Sequence, residues 1–93
     1  MIVGVCRVNL FFPAARSLKD KRRVLKGILD RIRTRINVSA AEIGAQEIWR
    51  RGEIAVAAVG NDRATIHSLL MSAIKVAESE PRAEVLQVEV DWL

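Results

Sequence analysis

Apolar and polar residues alternate at the start of the chain. Ile2, Cys6, Val8, Leu10 and Phe12 share one parity while Arg7 and Asn9 take the other, the period-two pattern of a strand with one face on a core. Pro13 ends it. The spacing then becomes helical: Leu25, Ile28, Leu29, Ile32 and Ile36 form one stripe, and Ser17 with Asp20 makes a capping-box-like start. These signals predict a helix from Leu18 to about Ile36. Residues 38–45 and 53–59 are β-prone and bounded by Gly44, Gly52 and Gly60, with Gln46 to Arg51 connecting them as a hairpin. Alanines on both parities leave the facing of these two strands open. Gly60-Asn61-Asp62 is a turn, and Ile66, Leu70, Ala73, Ile74 and Ala77 form a second helical stripe that Pro81 stops. Finally Leu86, Val88, Val90 and Trp92 alternate with Gln87, Glu89 and Asp91, which predicts a last strand with one apolar and one wet face.

The order is βαββαβ. Two helical crossovers on one side of a four-stranded antiparallel sheet give an α+β, ferredoxin-like arrangement with the first and third strands central. With 93 residues, 51% of them hydrophobic, residues 1–93 read as one domain with one core. No apolar run approaches the ~20 residues of a membrane span, and the start lacks the basic region of a signal peptide, so a cytoplasmic location is expected and no membrane partner. Cys6 is the sole cysteine; it reads as a small buried hydrophobe.

Charge divides the chain. Residues 1–52 hold twelve Lys/Arg against four Asp/Glu, net +8, and residues 53–93 hold three against seven, net −4, closing at +4. Lys19, Arg22, Arg23, Lys26 and Arg33 lie off the apolar stripe of the first helix and, with Arg16 before it, form a ridge able to neutralise phosphates. A solvated helix face is the plainer reading, and Asp30 interrupts the ridge. Trp49, followed by Arg50 and Arg51, suits base stacking, core capping or anchoring an interface, with the interface ranked first.

The Phe12-Pro13-Ala14-Ala15-Arg16-Ser17-Leu18-Lys19-Asp20-Lys21-Arg22-Arg23 run and Val59-Gly60-Asn61-Asp62-Arg63, with Ala41-Glu42-Ile43-Gly44, Gln46 and Trp49, resemble the YlxP-like family, also called domain of unknown function 503. The resemblance covers essentially the whole chain. It implies a small bacterial ferredoxin-like protein without an established activity, whose genes in some bacteria stand among those for translation initiation and ribosome maturation. It implies no catalytic residue.

The leading expectation is therefore a binding module that contacts RNA or a ribosomal surface through Arg16, Lys19, Arg22, Arg23, Lys26, Arg33, Trp49, Arg50 and Arg51. A homodimer is also expected, because Val3 and Val5 share the outer sheet face with Arg7 and Asn9 and leave part of it apolar; a purely structural dimer is one alternative. Another is a phosphate-processing enzyme resembling acylphosphatases, with Arg16, Ser17 and Asn61 converging on an anion if the turns after the first and third strands meet. Against it, the Phe-Pro-Ala-Ala-Arg loop lacks glycine and Asp62 repels phosphate. The missing glycine counts equally against a ligand-sensing module. His67 is the only histidine, and with one cysteine and no ligand spacing, neither a metal nor another cofactor is expected.

Overall fold

The computed structural model describes all 93 residues. Six elements follow in the expected order: β1 (Ile2–Phe11), α1 (Leu18–Arg35), β2 (Ser39–Gly44), β3 (Arg51–Gly60), α2 (Arg63–Glu78) and β4 (Glu84–Trp92). They form one antiparallel sheet of order β2-β3-β1-β4, so the central strands are the first and third.

Each helix starts where a side chain accepts an amide that the helix leaves unpaired. Ser17 accepts from the Asp20 N–H at 3.1 Å, and the Asp20 carboxylate reaches back to the Arg16 N–H at 3.0 Å, completing the reciprocal cap. Asp62 accepts from the Thr65 N–H and hydroxyl to start α2, and these bonds hold its carboxyl below the usual carboxylate range.

Both helices cover one face of the sheet. Cys6, Val8 and Leu10 of β1 and Ile54, Val56 and Ala58 of β3 meet Ile28 and Ile32 of α1 and Ile66, Leu70 and Ala77 of α2 in a continuous core. Burial raises the Cys6 thiol pKa. On β1 the inward parity is the one the alternation indicated, and the open facing of the hairpin resolves with Ala40, Ile54, Val56 and Ala58 inward. Gly4 permits the closest approach: a Cβ there would lie 2.8 Å from Ile66 and 2.9 Å from the Trp92 ring, so any larger residue would lift α2 or Trp92 off β1.

One strand departs from its alternation. A register shift at Asn9/Leu10 sets Val85 opposite Leu10; Val85, Val90 and Trp92 pack on the core, whereas Leu86 stays 46% and Val88 36% exposed. The extra residue of the bulge moves Leu86 out of the parity it would have kept in a regular strand. Neither helix is long and apolar enough to cross a membrane.

Candidate nucleic-acid interface

Strand direction decides which loops are neighbours. Phe11 at the end of β1 pairs with Arg51 at the start of β3 and with Glu84 at the start of β4, while Gly60 at the end of β3 pairs with Ile2. The turn after β1 and the turn after β3 therefore lie at opposite ends of the sheet, separated by the length of β1, ~30 Å at 3.3 Å per residue. This corrects the grouping of Arg16, Ser17 and Asn61 into one anion pocket. Ser17 caps α1, Asn61 sits at the far end, and the arrangement on which an acylphosphatase-like reading rests is not formed.

What the fold does assemble at the β1 end is a basic cluster. The β1–α1 loop brings Arg16; the first turns of α1 bring Lys19, Arg22 and Arg23; the β2–β3 loop brings Trp49 and Arg50, and the first residue of β3 brings Arg51. Arg50 Nε donates to the Ala15 carbonyl at 3.3 Å, and the Phe12 N–H donates to the Arg50 carbonyl at 2.9 Å, so that loop lies directly against the start of α1. Arg23 borders a cavity of about 170 Å³ that it shares with Phe12, Ala14, Ala15 and Arg82. Arg16, Lys19, Arg22, Arg23, Arg50 and Arg51 are all exposed, and none has a carboxylate within 4.0 Å of its charged group. Trp49 is 53% exposed beside an equally exposed Ile48, so it does not cap the core.

Two members of the sequence-derived ridge are occupied otherwise. Lys26 Nζ donates to Asp30 at 2.8 Å, and this bond holds the Asp30 carboxyl below its usual range. Arg33 donates twice to the Ala40 carbonyl, through Nε at 3.0 Å and Nη2 at 2.6 Å, tying the end of α1 to the edge strand β2. The basic surface is thus concentrated at the first turns of α1 rather than running along the whole helix.

Lys21 is the residue that sequence reading missed. It is fully buried within the helix stripe, and its Nζ donates to the carbonyls of Ala45 at 2.5 Å and Ile48 at 2.8 Å, with Glu42 Oε2 at 3.5 Å. Ala45 has φ of 57°, a left-handed conformation that costs an alanine roughly 1 kcal/mol. A buried ammonium gripping that turn from within offsets the cost and fixes the loop carrying Trp49. The available signal was positional: Lys21 falls three and four residues before Val24 and Leu25, on the apolar side of α1.

A second buried charge stands on the other flank of α1. Glu80, 4% exposed, accepts from Arg82 Nε at 2.8 Å and from Arg31 at 3.0 Å, joining α1 to the α2–β4 connection. The Arg82 hydrogen bond is the main cause that lowers its pKa to about 2, and Arg31 adds to it. No three His, Cys, Asp or Glu side chains gather in a metal-binding group.

Comparison with known proteins agrees with the architecture. The chain is 34% identical over 91 residues to the uncharacterised protein YlxP of Bacillus subtilis (strain 168), covering 98% of this chain and 99% of that one. Three solved structures share the fold. A de novo designed protein with ferredoxin fold has a TM-score of 0.58 at 9% identity, covering 100% of this chain and 84% of that one. The designed protein Foldit4 has 0.52 at 18%, with 99% and 94% covered. LarC2, the C-terminal domain of a cyclometallase involved in synthesis of the NPN cofactor of lactate racemase, has 0.51 at 13%, with 100% and 55% covered. At such identities these structures speak for the fold alone. The model of the family described as a protein of unknown function, DUF503, matches residues 3–90, and the chain belongs to that family.

Proposed function

We propose that the protein is an RNA-binding module, acting on free RNA or on the RNA surface of a ribosomal particle, and that its contact surface is the β1 end. One observation carries the reading: six exposed cations without carboxylate partners converge around an exposed tryptophan on a loop held by a buried lysine. Phosphates exchange bound counterions for such cations. An aromatic ring flanked by guanidinium groups accepts an unpaired base. The cations come from three separate loops and helix turns, so the surface suits a folded or looped RNA better than a regular duplex groove. Resemblance to a family whose genes accompany translation genes supports the same direction.

Co-sedimentation of purified protein with ribosomal subunits and with mixed RNA, across a salt series, tests the proposal. Binding at low salt that weakens steeply as salt rises is expected, with a slope of log K against log salt of roughly −4 if all six cations engage single-stranded phosphates. No binding at low ionic strength would end the proposal.

A further inference from the structure

The face of the sheet opposite the helices has no covering element. Val3 and Val5 of β1, Ala55, Ala57 and Val59 of β3, and Ala41 of β2 share it, and Val59 is 65% exposed. Ser39, Ala41, Ala55 and Ala57 leave a shallow groove of about 200 Å³ beside β2. The side chains are small, so a second sheet can approach to the ~10 Å spacing of packed sheets. Three strands of nine or ten residues and the six-residue β2 present on the order of 550 Å² in projection, near the ~600 Å² per partner at the low end of standard interfaces.

Charge on this face selects the occupant. Arg7 and Arg51 stand against Glu53, Glu84, Glu89 and Asp91, net −2, and Arg7 is already paired with Glu89 and Asp91. A polyanion such as RNA, or an anionic lipid surface, is repelled there. A second copy carries the same net −2 but no phosphates, and one of its two symmetric orientations keeps the acids of the two faces apart. A two-fold axis across the strands would stack the acidic β4 on itself. An axis along the strands sets β4 against the uncharged Ser39 and Ala41 of the other β2, and β1 against the other β3, so that Asn9 meets Glu53 of the other copy and Phe11 covers its Arg51, which the dimer then withdraws from the RNA surface.

We propose that two copies of the chain pack through these outer sheet faces with the two-fold axis along the strands. An isologous interface of this kind closes on itself as a dimer. Both basic ends then emerge on the same side; that consequence, unlike the dimer, rests on the RNA reading above.

Sedimentation equilibrium without RNA tests the dimer independently of that reading. The wild type is expected at twice the 10.4 kDa chain mass. Ala57→Arg, and separately Val59→Lys, should give monomers with unchanged circular dichroism, because both side chains point out of the outer face, and with a lower melting temperature that no longer depends on protein concentration. Glu53→Arg should weaken the dimer by removing the carboxylate that faces Asn9 of the other copy. A wild type that stays monomeric at the highest attainable concentration, or a dimer indifferent to both apolar replacements, overturns the proposal. So does a monomer that binds anionic vesicles or RNA only while Ala57 is intact, since the face would then belong to another occupant. A dimer that Glu53→Arg leaves untouched contradicts the assigned axis.

Discussion

The two ends of the sheet use charged residues in opposite ways. At the end carrying Asn61, Asp62 caps α2 and Arg63 stacks over the Trp92 ring at 4.4 Å, and Arg35 at the end of α1 is exposed with no side-chain partner. At the β1 end, buried Lys21 and Glu80 are spent on structure and Arg50 donates to the Ala15 carbonyl, while Arg16, Lys19, Arg22, Arg23 and Arg51 stay exposed and unmatched by acids. Trp92 lies against Gly4 beneath an arginine; Trp49 stands open. The contrast teaches that stability and contact chemistry are separated here by burial. The same residue types serve the fold where they are paired, and are available to a partner where they are not.

Breaking the buried lysine should have the largest effect. Lys21→Ala leaves the Ala45 and Ile48 carbonyls and the Glu42 carboxylate without their cation, at a cost of about 3 kcal/mol, which thermal unfolding would read as a fall of roughly 10 °C or more. It should also free the loop and weaken RNA binding. A variant as stable as wild type would show that the loop does not depend on the lysine.

Glu80 comes next. Its folded pKa is depressed, so its contribution is complete above the ordinary carboxyl range, near 4.5, and is lost as pH falls through about 2. Allowing for the exposure of Arg82, this amounts to on the order of 2 kcal/mol. Urea unfolding of wild type and Glu80→Gln should therefore differ at neutral pH and converge in acid.

Trp49→Ala sharpens the comparison of the two tryptophans. Loss of one stacked base would weaken RNA binding by about 1–3 kcal/mol, with stability within roughly 0.5 kcal/mol of wild type. The smallest effect belongs to the far end: Asp62→Ala should remove a cap worth about 1 kcal/mol and leave RNA binding unchanged, as paired melting and binding curves would show.

Much of the fold was legible because burial imposes a period. The alternation in β1 and the stripes of both helices mark a sheet with helices on one side, and the structure has them there. Alanine fits either face of a strand, so the orientation of β2 and β3 emerged only from the partners of Ala40 and Ala58. The bulge beside Leu86 leaves no mark in the local pattern. Site residues were less legible for two reasons. Nothing in residue type separates Lys21, buried and bonded to carbonyls, from Arg22 beside it in solvent. The misplaced meeting of Arg16 with Asn61 came from strand direction: the loops that follow the antiparallel neighbours β1 and β3 lie at opposite ends, a consequence of the topology itself rather than of any residue.

The most direct test of the difference between the ends is the salt dependence of RNA binding for wild type, Arg22→Glu/Arg23→Glu and Arg63→Glu, each with its fold verified by circular dichroism. The double reversal at the β1 end should lower the slope by about 1 per residue and weaken all RNA sequences alike, while the reversal at the far end leaves it unchanged. Equal losses in both variants, or none in the double reversal, would contradict a contact surface confined to the β1 end.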